Sequence, residues 1–213
     1  MNDSLIPEQI LTVSGFGEFK LKEKGSSFIG QVYPTGTADE AETFLTGIRK
    51  EFFDATHHCY CYKLASKNEK YSDGGEPSGT AGIRLLNAID HFGLTNLLVV
   101  VIRYYGGVKL GVGPLGRTYY QTAFNLLQTI DKRSLSPFKK SIIYVDVSFT
   151  KTIYNILNIN NSRITKNGYD SGFFIEALIP VKNIESIQEE IASLTKGKAK
   201  LKLDPDIVFF EKE

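Results

Sequence analysis

The sequence has few of the features that mark secreted, membrane or disulfide-rich proteins. Only two cysteines, Cys59 and Cys61, occur among 213 residues, and tryptophan is absent. The longest apolar run, Leu97 to Ile102, is far too short to cross a membrane. The N-terminus has neither the basic segment nor the apolar segment of a secretion signal. Neighbouring cysteines in one predicted strand are poorly placed for a disulfide, so we expect a cytoplasmic protein without membrane contact.

Charge of one sign is not in excess either. The 25 basic and 24 acidic residues give a formal net charge of +1, so no overall field draws the protein to nucleic acid. The exception is local. Between Asp90 and Asp131 there is no acidic residue, and the same stretch contains three basic residues, Arg103, Lys109 and Arg117. A surface that binds anions must therefore be a local patch, and this stretch is the candidate.

Hydrophobic periodicity predicts a globular α/β (α+β) chain of two domains, 1–135 and 136–213. The segment 131–137 reads as a linker. After it, the order strand, helix, strand, strand, helix, strand over 141–208 is the ferredoxin-like pattern, with a turn at Asp170-Ser171-Gly172. In the first domain the pattern predicts a hairpin, a helix that Ser78 or Thr80 caps, and further strands and helices over 39–53, 57–64, 97–105 and 114–130.

The segment RYYGGVKLGVGPLGR at 103–117 contains G-x-G-x-x-G at Gly111, Gly113 and Gly116. A dinucleotide fingerprint needs a strand that runs directly into the first glycine. Here five residues, Gly106 to Leu110, separate that glycine from the strand, and Asp131 at the expected acidic spacing ends a helix. We therefore expect no dinucleotide and no other cofactor.

The same segment suits an anion, because a helix start presents free N–H groups and glycines permit a close approach. The alternative is a tight crossover loop with solvated basic side chains, and local chemistry favours neither. The candidate binding residues of this segment are Arg103, Gly106, Gly107, Lys109, Gly111 and Arg117.

The glycine-rich segment 71–82 contains Asp73 and Glu76 just before a helix. Two carboxylates bind a cation or basic partner, divide acid and base work, or accept hydrogen bonds from the helix start. The last interpretation is favoured for Glu76. His57, Cys59 and Cys61 share one strand face, but their spacing matches a zinc site poorly, so we expect no metal and no catalytic cysteine.

Four lysines, Lys196, Lys198, Lys200 and Lys202, alternate near the last strand. Such a row either follows a phosphate backbone or guards a sheet edge against aggregation, and the guard is favoured.

Four blocks resemble the IMPACT family of the bacterial YigZ type, over most of residues 20–130. The later part resembles the small C-terminal domain of bacterial members. Three departures are Gly74 where the family usually has Asp, Arg84 where it usually has Pro, and Pro114 within its G-G-L. Arg84 suggests an ion pair with Asp73 or Glu76. The blocks are SSFIG at 26–30, HHCYCYKL at 57–64, SDGGEPSGTAG at 72–82 and VVVIRYYGGVKLGVGPLGRTYYQTA at 99–123.

The resemblance implies a first domain similar to a ribosomal-protein β-α-β fold and to domain IV of elongation factor G. It implies a second domain similar to that factor's ferredoxin-like domain V. Eukaryotic relatives regulate translation, so we expect a non-catalytic regulator that binds RNA, the ribosome or a ribosome-associated protein. Its binding residues would be those of the glycine loop together with His57, Asp73 and Glu76. The alternatives are a hydrolase that uses His57, Cys59, Asp73 and Glu76, and a pure protein-interaction module; the oligomeric state stays open.

Overall fold

The computed structural model describes residues 6–170 and 172–211, and the chain divides into two compact units. One unit is Ile10–Ser134, and the other combines Met1–Gln9 with Leu135–Glu213. The described helices include none with the length and apolar character needed to span a membrane.

The first unit is a five-stranded antiparallel sheet with helices on both faces. A further short strand, Ile10–Val13, forms an isolated parallel β-bridge between its Leu11 and Leu94. The elements in chain order are β1 (Ile10–Val13), β2 (Gly17–Glu23), β3 (Ser26–Pro34), α1 (Ala38–Glu51), β4 (His57–Lys63), β5 (Glu69–Ser72), α2 (Gly82–His91), β6 (Leu97–Tyr104) and α3 (Val112–Thr129). The strand order is β2-β3-β6-β4-β5.

The apolar run of β6 is buried on both faces, as an unbroken apolar run in a short strand indicates. Alternate residues serve two cores. Leu98 and Val100 pack in the cluster that includes Leu45 of α1, whereas Val99 and Val101 pack in the cluster formed with α2 and α3. The sheet therefore separates α1 from α2 and α3.

Two local predictions in this unit are wrong. The sequence indicated only a polar loop from Leu64 to Pro77, but this segment contains the edge strand β5, whose residues are mostly exposed and show no apolar alternation. The helix α2 begins at Gly82 with Ala81 as its N-cap, and neither Ser78 nor Thr80 caps it. The Thr80 hydroxyl donates instead to the carbonyl of Pro77.

The second unit confirms the ferredoxin-like order of strands and helices. All neighbouring strands in the order β8-β9-β7-β10 are antiparallel. Both helices of the unit contribute to one core, through residues such as Ile153 and Ile187. The elements are β7 (Lys132–Val145), α4 (Thr150–Ile159), β8 (Arg163–Tyr169), β9 (Phe173–Pro180), α5 (Ile184–Leu194) and β10 (Lys200–Glu211).

The segment predicted to be a linker, 131–137, is largely strand. Residues from Lys132 onward belong to β7, and Ser136 and Pro137 pair with Phe210 and Phe209 of β10. A proline suggested irregular structure, but it is tolerated in a strand where no partner needs its missing N–H. The predicted turn at residues 170–172 includes Ser171, which lies outside the described residues.

Candidate functional site

A buried ion pair lies where β3, β4 and β6 meet. Arg103 is only 4% exposed, and it stands opposite Phe28 of β3 and His57 of β4 in the sheet register. Its Nη1 donates to Glu76 Oε1 at 2.6 Å, and its Nη2 donates to the Ser26 hydroxyl at 3.2 Å. The guanidinium carbon lies 5.1 Å from the centre of the Phe28 ring. Arg103 is therefore held by Glu76, Ser26 and Phe28, while its buried Nε has no hydrogen-bond partner among the described residues.

Glu76 is the centre of this network. Its Oε1 also accepts a hydrogen bond from the Tyr119 hydroxyl at 2.7 Å, and its Oε2 lies 3.7 Å from His57 Nε2. His57 Nδ1 lies 3.0 Å from the carbonyl oxygen of Gly74, which can only accept, so Nδ1 carries the proton. The side chain of Glu76 is 4% exposed, and its partners satisfy the buried charge.

Asp73, and not Glu76, satisfies the start of α2. Its carboxylate accepts hydrogen bonds at 2.9 Å from the backbone N–H groups of Gly79, Ala81 and Gly82. Burial acts to raise the pKa of Asp73, but these three bonds outweigh it and hold the pKa below its usual value. The preference for Glu76 in this role is thus corrected.

The two cysteines are buried thiols. The Sγ of Cys59 donates to the carbonyl of Asp73 at 3.0 Å and lies 3.3 Å from the Tyr119 hydroxyl. Burial raises the pKa of Cys59 and of Cys61 to about 12. A thiol with that pKa supplies almost no thiolate near neutral pH, and the thiolate is the nucleophilic form. Over the described residues no His, Cys, Asp or Glu side chains form a group of three suited to a metal ion.

Glycines around the network mainly allow backbones to touch each other. A Cβ on Gly106 would lie 1.9 Å from the carbonyl carbon of Gly25, and one on Gly74 would lie 2.3 Å from the carbonyl oxygen of His58. Gly107 and Gly111 have φ of 85° and 83°, which favours glycine for conformation. The expected close approach at Gly106 is therefore made by the β2–β3 turn.

The exposed part of the site surrounds the start of α3. Lys109 and Arg117 are both exposed, and Arg117 Nη1 reaches back to within 3.7 Å of the Cβ position of Gly113. Arg84 lies against α3 as well, with Nε 3.3 Å from the Cβ position of Gly116. We call Arg84, Lys109 and Arg117 the α3 basic face. No ion pair within the described residues joins Arg84 to Asp73 or Glu76, contrary to expectation.

The structure thus separates the predicted site residues into two sets. His57, Glu76 and Arg103 belong to the buried network and Asp73 caps α2 beside it, whereas Lys109 and Arg117 with Gly107 and Gly111 belong to the exposed loop. The main difference from the prediction is Arg103, which was expected to bind anions beside Lys109 and is instead buried in the network. Sequence reasoning missed Ser26 and the hydroxyl of Tyr119, although a tyrosine on a buried helix stripe signals a polar partner for its hydroxyl.

Comparison with known proteins identifies the family. Residues 24–127 match the Impact N-terminal domain. The chain is 29% identical over 206 residues to the IMPACT family member YvyE of Bacillus subtilis, which covers 94% of this chain and 93% of that protein. It is 26% identical over 182 residues to the IMPACT family member YigZ of Escherichia coli, with 84% and 89% covered. The rat protein IMPACT is 30% identical over 98 residues, 43% of this chain and 30% of that protein.

A crystal structure described as that of a hypothetical protein has the same fold. It matches with a TM-score of 0.73 at 24% identity, and the match covers 94% of this chain and 98% of the other. The matched domain contains the buried network and the loop before α3, and the bacterial relatives extend the match through the ferredoxin-like unit. The chain belongs to the IMPACT family, in its two-domain bacterial form.

Proposed function

We propose that this protein is a non-catalytic, cytoplasmic regulator of translation that binds ribosomal RNA through the α3 basic face. The observation that carries the proposal is the start of α3. It is exposed, Gly111 as its N-cap offers no side chain to cap it, and its first turn contains no acidic residue. A helix start of this kind attracts anions through its free N–H groups and its dipole.

The two helix starts of the same unit make the contrast clear. At α2, the carboxylate of Asp73 already accepts hydrogen bonds from Gly79, Ala81 and Gly82, so a ligand would have to displace it. At α3, no side chain of the described residues caps the N–H groups at the helix start. Arg84 and Arg117 lie against its first turns, and Lys109 comes two residues before Gly111 in the sequence. A phosphate group fits the second helix start and not the first.

The exposed loop also offers a surface for a nucleobase. Tyr105 is 45% exposed and follows β6 directly. The guanidinium carbon of Arg103 lies 5.5 Å from its ring centre, so the remaining exposed part of the ring is what a nucleobase would stack on. Val108 and Val112 are 52% and 66% exposed and give the loop an apolar component. These valines also suit a protein partner, which is the second candidate ligand for the same face.

The buried network supports recognition more than turnover. Cys59 is a protonated thiol and Asp73 caps α2. The carboxylate of Glu76 is enclosed by Arg103, Tyr119 and His57. These groups satisfy one another and hold the loop segments in place, and each of the described thiol and carboxylate groups of this region already has a partner. This arrangement weakens the hydrolase alternative, and the translation role itself is inferred from the family resemblance.

Sedimentation with ribosomes across a salt series tests the proposal. Each phosphate contact that is lost should flatten the log–log salt dependence by about one unit. We expect Lys109→Glu and Arg117→Glu to weaken association, and the matched variant Lys50→Glu on α1 to leave it unchanged, at equal melting temperatures. Binding by both loop variants with the parental affinity and salt slope would contradict the proposal. Retained binding to ribosomes but not to purified ribosomal RNA would favour a protein partner.

A further inference from the structure

The sheet of the second unit has one face that its helices do not use. Ile143 of β7 and Ile175 of β9 point into the core with α4 and α5, as do Leu201 and Leu203 of β10. Because side chains alternate along a strand, Tyr144, Phe174, Lys200 and Lys202 lie on the opposite face. We call this surface the open face.

Two aromatic rings occupy the centre of the open face. Tyr144 and Phe174 are register partners on the two central strands, β7 and β9, with ring centres 6.4 Å apart. Phe174 also lies across Gly168 of β8, since a Cβ on that glycine would approach its Cζ to 2.8 Å. Both rings are half-buried, so they are held in place while part of each remains accessible.

Cations surround the two rings. Lys200 pairs with Tyr144 in the register, and Lys202 Nζ lies 5.3 Å from the Tyr144 ring centre. On the other side, Lys166 Nζ lies 5.7 Å from the Phe174 ring centre. One carboxylate, that of Glu176, lies 4.0 Å from Lys166 and reduces the positive charge there. All three lysines are exposed.

A groove continues the open face at the end where β7 finishes. It encloses about 680 Å³, and its lining includes Tyr144, Tyr169, Lys198, Lys200 and Lys202 together with one acidic residue, Asp146. Tyr169 is 75% exposed, which adds a third aromatic side chain beside the lysines. The face therefore offers rings and cations in one continuous surface.

We propose that the open face binds a single-stranded nucleic acid. Aromatic side chains on the central strands of an antiparallel sheet stack on unpaired bases, and lysines beside them contact the phosphates. A duplex keeps its bases stacked inside and cannot use the rings. The guard interpretation of the lysine row explains cations near an edge strand, but it does not explain two partly accessible rings at the centre of the sheet.

This site is independent of the α3 basic face, because the two surfaces belong to different compact units. The test measures binding of the full chain to a labelled ten-nucleotide single-stranded RNA by fluorescence anisotropy, with the matching duplex in parallel. We expect Tyr144→Leu and Phe174→Leu each to weaken single-strand binding roughly five- to 100-fold while duplex binding stays unchanged. Lys202→Gln should lower the salt slope by about 0.7.

The controls are Phe53→Leu, at a ring that is 81% exposed in the other unit, and Lys151→Gln on α4, which packs on the opposite side of the sheet. Both should bind like the parent, and melting temperatures establish that each variant is folded. Parental affinity in folded Tyr144→Leu and Phe174→Leu would overturn the proposal, as would an absence of single-strand binding at low salt. If Arg117→Glu alone abolished it, the strand would bind at the α3 basic face instead.

Discussion

At the scale of single residues, Glu76 determines whether the buried network is structural or reactive. Its carboxylate contacts Arg103, Tyr119 and His57, and both members of its pair with Arg103 are about 95% buried. A buried charge is tolerated only while its partner is present. The network is therefore structural, and disrupting it should lower the free energy of unfolding.

We expect Glu76→Gln to lower the free energy of unfolding by about 3 kcal/mol, because it leaves the guanidinium of Arg103 buried without a counter-charge. Urea unfolding provides the measurement. The matched control is Glu42→Gln, which breaks the exposed pair with Lys70 and should cost less than about 1 kcal/mol. Equal losses in the two variants would show that the buried pair contributes nothing special.

Asp73 gives a prediction that depends on pH. Its pKa is lower in the folded protein than the ordinary 3.8, so its carboxylate stabilises the fold above that value and loses this effect as the pH falls through the folded pKa. Asp73→Asn should cost about 1 kcal/mol at neutral pH, the usual size of a capping contribution. The difference from the parent should shrink below about pH 4 in urea titrations. A difference that is constant down to pH 2.5 would be inconsistent with a charged cap.

The thiols are expected to be unreactive in the folded protein. Burial raises the pKa of Cys59 to about 12, so an aromatic disulfide reagent at pH 7.5 should label neither cysteine until urea unfolds the chain. Spectrophotometric counting of released thiolate gives the result directly. Rapid native labelling that Cys59→Ser removes would restore the catalytic alternative.

Residue types were predictable from sequence, but residue partners were not. Asp73 and Glu76 both carried the signal of carboxylates before a helix, and nothing in their spacing said which one would reach the N–H groups of α2. Arg103 looked like a member of the basic loop because it is near Lys109 in sequence. The sheet register, which places Arg103 opposite His57, turns it inward.

At the scale of elements, the loops depend on close backbone contacts that only glycine permits. The chain after β6 passes the β2–β3 turn so closely that a Cβ on Gly106 would overlap Gly25. Elements with strong periodicity, such as β6, α3 and the ferredoxin-like order, followed directly from the sequence. The strand β5 and the start of β7 could not be predicted in this way. The residues of β5 are exposed and do not alternate, and Pro137 in β7 is a residue type that is common in linkers.

We expect Gly106→Ala to destabilise the first unit by several kcal/mol, since two backbone segments must separate to admit the methyl group. The matched variant is Gly47→Ala, at an exposed position of α1 with nothing within 4 Å of the added Cβ. It should stabilise the protein by about 0.5–1 kcal/mol because glycine is a poor helix former. Thermal and urea unfolding of both variants measure the contrast. Similar behaviour of the two glycines would show that the loop contact is loose.

At the scale of the whole molecule, charge is balanced overall and uneven locally. The formal net charge is +1, yet cations gather around the start of α3 in one unit and around Tyr144 and Phe174 in the other. The sequence revealed the first cluster as a stretch without acids. Of the second cluster it revealed only Lys200 and Lys202, because strand pairing between distant segments brings the rings and Lys166 to them.

Local charge, and not net charge, should therefore control association with ribosomes. Arg117→Glu changes the net charge from +1 to −1, and adding Glu51→Lys returns it to +1. Glu51 ends α1, on the other side of the sheet from α3, and a lysine there suits the helix dipole, so the fold should tolerate it. Because fields between exposed charges are screened beyond about 10 Å at 0.1 M salt, we expect the double variant to bind as weakly as Arg117→Glu alone. Sedimentation at 0.1 M salt measures this, with Glu51→Lys as the control that binds like the parent. Recovery of binding in the double variant would mean that the ligand responds to overall charge, and it would contradict the assignment of the α3 basic face as the binding site.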